Sequence, residues 1–172
     1  MLAFDLDPGA PANILDCCRV ALQLREMFDG LGLASFPKTS GSKGLQVYGP
    51  LNTEVSYQQT KPFAQAVAQA LERTDPDRVV SRMAKNLRGG KVFVDWSQND
   101  VHKTTVAVYS LRAKERPTVS TPVSWEEVSD AAERADADSL SFEARDVLDR
   151  IAKRGDLFAP VAELRQELPK TT

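Results

Sequence analysis

Near the start of the chain, FDLDPG (Phe4–Gly9) sets two aspartates two residues apart among apolar neighbours. Alternate residues of a strand share a face, so Asp5 and Asp7 project together while Phe4 and Leu6 turn inward. Two carboxylates that close repel unless something cationic lies between them. A divalent cation such as Mg²⁺ or Mn²⁺, which favours carboxylate oxygen, meets that need. The plainer alternative is two solvated acids at a strand end before a Pro-Gly turn. KVFVDW (Lys91–Trp96) adds a third acid, Asp95, inside an otherwise apolar strand, where an unpaired charge is costly. On a neighbouring strand, Asp95 completes a set of carboxylates able to hold two metals for phosphoryl transfer. One metal activates the attacking oxygen, and the other holds the triphosphate and leaving group. An ion pair between Asp95 and a Lys or Arg at the sheet edge is the competing reading.

The segment KTSGSKGLQVY (Lys38–Tyr48) supplies the opposite charge. Small residues let backbone N–H groups converge on an anion, and Lys43 adds a cation. The G-x-x-x-x-G-K-[ST] spacing is missing and a strand follows, so this is not a Walker A loop. Arg112 can reach the same anion as a bidentate donor. Other schemes find less support. His102 is the only histidine and falls in a polar loop, which excludes a His-rich zinc site and leaves a Ser-His-Asp triad unsupported. Trp96 and Trp125 are core residues before they are base-stacking platforms. The adjacent Cys17 and Cys18 match no metal-ligand or redox spacing.

These residues need elements to position them. Leu2–Leu6 reads as a buried strand stopped by Pro8-Gly9. Asn13 caps a helix from about Ile14 to Phe28, ended by Gly30 and Gly32. LQVYGPL alternates like a strand. A second helix opens at Ser56 or Thr60 and runs to about Arg73, with Pro62 in its early part. DRVVSRMA holds a short strand. KVFVDW and TTVAVYSL read as two strands of an antiparallel hairpin joined by SQNDVHK. Ser124 and Glu127 form a capping box for a short helix; DAAERADADS is a connector, and a last helix ends at Gly155. The order matches a β-α-β-β-α-β plan. The expected fold class is therefore α+β: a mainly antiparallel sheet with helices on one face, the other face open for a site, and a short C-terminal helical segment.

The chain has 172 residues, 42% hydrophobic and 27% charged, ordinary values for one globular domain. No apolar run approaches the ~20 residues of a membrane span, and the N-terminus lacks a signal-peptide pattern, which points to the cytoplasm. The net charge of −2 conceals an asymmetry. Arg78–Arg116 holds nine Lys/Arg against three acids, whereas Val123–Leu168 holds twelve acids against six bases. A basic middle beside an acidic end suits a polyanion site next to a solvated helical tail; two solvated faces would give the same pattern.

In this order, FDLDPG, FPKTSGSKGLQVY, MAKNLRGGKVFVDWSQN, KTTVAVYSLRA, VSTPVSWEEV and RIAKRGDLF resemble the polymerase domain of bacterial DNA ligase D, within the archaeo-eukaryotic primase superfamily. The likeness runs from Leu2 to about Phe158. It implies an RRM-like (ferredoxin-like) catalytic module over residues 1–122, with residues 123–172 as a helical extension packed on it. It also implies a nucleotidyltransferase of non-homologous end joining that adds nucleotides, often ribonucleotides, to DNA 3′ ends with Mn²⁺ or Mg²⁺. Carried over by position, Asp5, Asp7 and Asp95 are metal ligands, Ser40, Lys43 and Arg112 hold the triphosphate, and Gln98 touches the incoming nucleotide or template. Gln46 stands where many members have a nucleotide-contacting histidine. The implied partners are a nucleoside triphosphate, DNA ends, Ku and a DNA ligase, in a cytoplasmic, nucleoid-associated setting. Members also carry a module before the first aspartate motif that this chain does not contain, which sets full polymerase activity apart from an intact metal site. A non-catalytic nucleic-acid-binding repair module on the same fold is the alternative, and an unrelated metal-dependent nuclease the third.

Overall fold

In the β1 strand (Leu2–Pro8), Leu2, Phe4 and Leu6 are buried while Ala3, Asp5 and Asp7 face the other way. That alternation fixes the layering of the whole protein, whose computed structural model describes residues 1–169. The apolar side of β1 lies beneath two helices, α1 (Ile14–Gly30) and α2 (Tyr57–Thr74). Their buried residues Cys18, Leu24, Phe28, Phe63, Val67 and Leu71 join one core with β1. Phe4 and Phe28 meet edge to face, ring centres 5.7 Å apart. Asn13 and Asp16 cap α1 reciprocally: Leu15 N–H donates to Asn13 Oδ1 at 2.8 Å and Asn13 N–H to Asp16 Oδ2 at 3.0 Å. Such a cap is worth about 1 kcal/mol.

The sheet has five strands in the order β2-β3-β1-β5-β4. Its remaining members are β2 (Phe36–Thr39), β3 (Leu45–Gly49), β4 (Val79–Val80) and β5 (Val92–Asp95). All pairings are antiparallel except β4 with β5. Without the short edge strand β4, this is the expected β-α-β-β-α-β arrangement, helices on one face and the other free to carry a site.

The anticipated hairpin does not form. β5 already has β1 on one edge and β4 on the other, so TTVAVYSL has no strand to pair with. Instead, the 103–112 segment crosses the open face as irregular chain. Its one ladder-like contact is the bridge Leu111–Val119, flanked by bonds from Tyr109 N–H to Ser120 O (2.8 Å) and Arg112 N–H to Thr118 O (2.8 Å).

Further on, α3 (Trp125–Arg134) is capped by Ser124 and Glu127 as expected and packs against α1. It extends through DAAER, the first half of the expected connector, and stops where Ala135 turns left-handed (φ 54°). α4 (Ala144–Arg154) ends at Gly155, and α5 (Ala159–Glu163) follows. Arg150 ties α4 to α3 through both carboxylate oxygens of Glu127, at 2.6 and 2.9 Å. Among the described residues no helix is long and apolar enough to cross a membrane.

Candidate active site

Strand register builds a row of polar side chains across the open face. Lys38 on β2 lies opposite Gln46 on β3, Gln46 opposite Asp5 on β1, and Asp5 opposite Asp95 on β5. Directly opposed residues share a face, so the row reads cation, amide, carboxylate, carboxylate. Asp7 stands two residues along β1, opposite Phe93. Burial first, then the charges of Asp95 and Asp7, push the Asp5 pKa up to about 6. A hydrogen bond from Gln46 and the charge of Lys38 act in the other direction.

Asp7 and Asp95 each have other partners. Lys43 Nζ lies 3.0 Å from Asp7 Oδ1, and the Arg88 guanidinium lies 3.8 Å from Asp7 Oδ2 while stacking over Phe93. Asp95 caps the turn of 3₁₀ helix at its own strand end: it accepts from Ser97 N–H (3.0 Å), Ser97 Oγ–H (2.6 Å) and Gln98 Nε2–H (2.8 Å). Gln98 thus points at Asp95, its own carbonyl oxygen buried without a partner.

The donor chemistry fits a hard divalent ion, since carboxylate oxygens are what Mg²⁺ and Mn²⁺ select. Asp5 is short of compensating charge on the side of its two acidic neighbours. Among the described residues, however, no three acid, histidine or cysteine side chains are gathered closely enough to hold an ion. Asp7 and Asp95 would have to exchange their present partners for it.

The turn between β2 and β3 forms the cationic side. Ser40 N–H donates to Gly44 O at 2.9 Å, and Ser40 Oγ accepts from Ser42 N–H (3.2 Å) and Gly44 N–H (3.1 Å). Gly41 has φ +66°, and a Cβ there would fall 2.7 Å from Ser120 N and 2.8 Å from Arg112 Cγ. Its glycine thus lets the Arg112 stem lie against the turn. Ser40, Ser42, Lys43, Gly44 and Arg112 enclose, with Asp5, Asp7 and Gln46, a cleft of about 240 Å³. Thr105 and Val106 of the 103–112 segment form its far wall.

Of the eight residues singled out in the sequence, six line this cleft; Asp95 stands beside it, opposite Asp5, and Gln98 is joined to the others only through Asp95. Sequence reasoning missed Lys38, Arg88 and Thr105. Alternation marks Lys38 as facing away from Pro37, but only register shows that this is the face of Asp5. Trp96 and Trp125 are partly buried against the core, their indole N–H groups donating to Ser81 O (3.0 Å) and Ser35 O (2.8 Å). His102 is exposed.

A family model described as "LigD, primase-polymerase domain" matches residues 1–158. The chain belongs to this family. It is 48% identical over 168 residues to the multifunctional non-homologous end joining DNA repair protein LigD of Mycobacterium tuberculosis H37Rv, covering 94% of this chain and 21% of the relative. The bifunctional non-homologous end joining protein LigD of Bacillus subtilis strain 168 is 35% identical over 159 residues, 91% of this chain and 25% of the relative. Among solved structures, the polymerase domain from Mycobacterium tuberculosis ligase D in complex with DNA superposes with a TM-score of 0.86 at 45% identity, over 96% of this chain and 55% of that one. The chain thus spans a quarter or less of these two curated relatives and just over half of the solved LigD polymerase domain.

Proposed function

We propose that this chain is the catalytic portion of an end-joining repair primase-polymerase, which adds nucleotides, ribonucleotides among them, to DNA 3′ ends by metal-dependent phosphoryl transfer. The observation that carries the reading is the pair Asp5 and Asp7, with Asp95 opposite Asp5, on one side of a cleft whose other side is Ser40, Lys43 and Arg112. Anion-binding groups on one wall and carboxylates on the next suit a triphosphate whose reacting phosphorus lies between them. Mn²⁺ or Mg²⁺ held by Asp5, Asp7 and Asp95 would supply charge neutralisation there.

The chain's own groups have distinct tasks in this reading. Arg112 and Lys43 fix the β- and γ-phosphates and offset their charge, Arg112 with a planar fork and Lys43 as a point charge. The Ser40 hydroxyl accepts from Ser42 and Gly44 N–H and so holds in shape the turn that carries Lys43 to the phosphates. Gln46 orients the Asp5 carboxylate, and Gln98 orients that of Asp95. Positioning and electrostatics supply the catalysis, with no histidine base. We read residues 1–122 as the catalytic module and 123–172 as its helical extension; residues 170–172 lie outside those described. The further partners in this reading are DNA ends, Ku and a DNA ligase, in the cytoplasm at the nucleoid. The DNA-bound state of the solved relative supports DNA as substrate.

The test is calorimetric titration of Mn²⁺ and a ribonucleoside triphosphate into the purified chain, beside Asp5→Asn and Asp95→Asn. Metal-dependent nucleotide binding that disappears in both variants is expected. A folded wild-type chain that binds no nucleotide overturns the reading and favours a non-catalytic DNA-binding module, identified by salt-dependent DNA affinity alone.

A further inference from the structure

Lys38 is 1% exposed, yet it carries an ammonium group. Burying such a charge costs several kcal/mol before its partners are counted, and a methionine would fill the same slot without that cost. What the ammonium contacts is the cleft wall. Lys38 Nζ–H donates to Val106 O at 3.1 Å and to Ser120 Oγ at 2.6 Å, and Ser120 Oγ–H passes the connection on to Thr39 O at 2.9 Å. One position along the row, Gln46 Nε2–H donates to Thr105 Oγ1 at 2.7 Å, while Gln46 Oε1 accepts from Tyr48 Oη–H at 3.1 Å. The 103–112 segment has no strand partner, so side-chain bonds from the sheet do what a ladder would otherwise do.

We propose that Lys38 is a positioning residue: it fastens the 103–112 segment to the sheet and thereby places Arg112 for the triphosphate. The inference rests on the nucleotide-binding reading above. The two lysines of this region divide the labour. Lys43 is exposed and contacts Asp7, where the reading above has it meet the triphosphate; Lys38 is buried and lines no part of the cleft. Ser120, which Lys38 holds, is bonded through its backbone N–H to Ser110 O at 2.9 Å, two residues before Arg112. One buried group thus contacts both the wall, at Val106, and Ser120, which lies against the turn at Gly41. Burial, and to a smaller degree the charge of Arg112, lower the Lys38 pKa to about 8, partly offset by Asp5, so the group remains mainly charged at neutral pH.

The experiment is a double-mutant cycle on nucleotide affinity, with K38M, R112A and the pair, read by calorimetry with Mn²⁺ and a ribonucleoside triphosphate. K38M is expected to weaken binding by roughly tenfold, and the double variant to bind no worse than R112A, because a misplaced arginine and a missing one lose the same contacts. K38R, which keeps charge and donors, is expected to recover part of the loss. Additive losses, or a K38M chain with wild-type affinity, overturn the proposal. Amide hydrogen exchange without ligand provides the second arm: K38M should speed exchange at Tyr109 and Arg112 while the α1 and α2 amides stay protected, and unchanged exchange overturns the fastening. Should K38M fail to fold, S120A removes one of its acceptors and is expected to give the same exchange pattern in smaller measure. A wild-type chain that binds no nucleotide sinks the functional reading and the placement of Arg112 with it; exchange then still decides whether Lys38 holds the wall.

Discussion

Asp5 is the residue on which the charge balance turns. Its folded pKa of about 6 lies above the ordinary 3.8, so the folded state takes up a proton more readily than the unfolded chain. The resulting stabilisation is fully present below about pH 3.8 and is lost as the pH rises through 6. Calorimetric unfolding should therefore show a penalty in the wild type, relative to Asp5→Asn, that grows between pH 4 and 6 and then levels. At neutral pH the variant is expected to be more stable by roughly 3 kcal/mol, although it loses metal-dependent nucleotide binding. A divalent ion offsets the same repulsion without a proton. Mn²⁺ should thus raise the thermal midpoint more at pH 7.5 than at pH 5.5, and Asp5→Asn should remove most of that difference.

At the scale of the element, two turns set the geometry. The β2–β3 turn depends on Gly41, where both a positive φ and the proximity of Ser120 and Arg112 exclude a side chain. Gly41→Ala should destabilise the fold by more than about 1 kcal/mol and weaken triphosphate binding, measured by chemical denaturation and calorimetry. The second turn follows β5. Asn99 takes the place of a strand residue beside β1: Ala3 N–H donates to its Oδ1 at 3.0 Å, and its Nδ2–H donates to Ala3 O at 2.8 Å. This side-chain mimicry lets β5 end at Asp95 and swing Gln98 towards the site without stranding the backbone of Ala3. Asn99→Ala should cost about 1–3 kcal/mol and lower nucleotide affinity, since Asp95 sits at the root of the same turn. The Asn13 and Ser124 caps were legible because a cap is a local pattern of three or four residues. TTVAVYSL forms no strand for the converse reason: alternation reports the preference of a segment, whereas strand formation needs a free edge, and β4 occupies the one it would have used.

Across the whole molecule, the C-terminal region packs against β3, the loops beside it and the cleft wall. Phe158 meets Tyr48 edge to face at 5.2 Å, and Tyr109 bonds to Asp156, tying the cleft wall to the extension. Further on, Gln166 accepts from Ala34 N–H at 2.7 Å and donates to Ala34 O (3.0 Å) and Pro50 O (2.6 Å), while its own N–H donates to Leu51 O (2.7 Å). One side chain thus joins the loop after α1 to the end of β3. Gln166→Ala should release the 159–169 segment to proteolysis without unfolding the sheet. Limited digestion with mass spectrometry would detect this as early cleavage after Arg165 at an almost unchanged thermal midpoint.

Spacing and residue type alone singled out the acids at 5, 7 and 95, the Ser/Gly/Lys turn and Arg112 as candidates, and a sheet with one open face. Each of these depends on strand alternation or on chemistry that only a few side chains can supply. Register was beyond reach of the sequence. Only the folded sheet decided that Asp95 lies opposite Asp5, that Asp7 and Asp95 start out bonded to Lys43 and Arg88 and to Ser97 and Gln98, and that a buried Lys38 holds the wall. A one-residue slip would send every one of these side chains to the other face, and the pairing that prevents it is made between segments up to ninety residues apart.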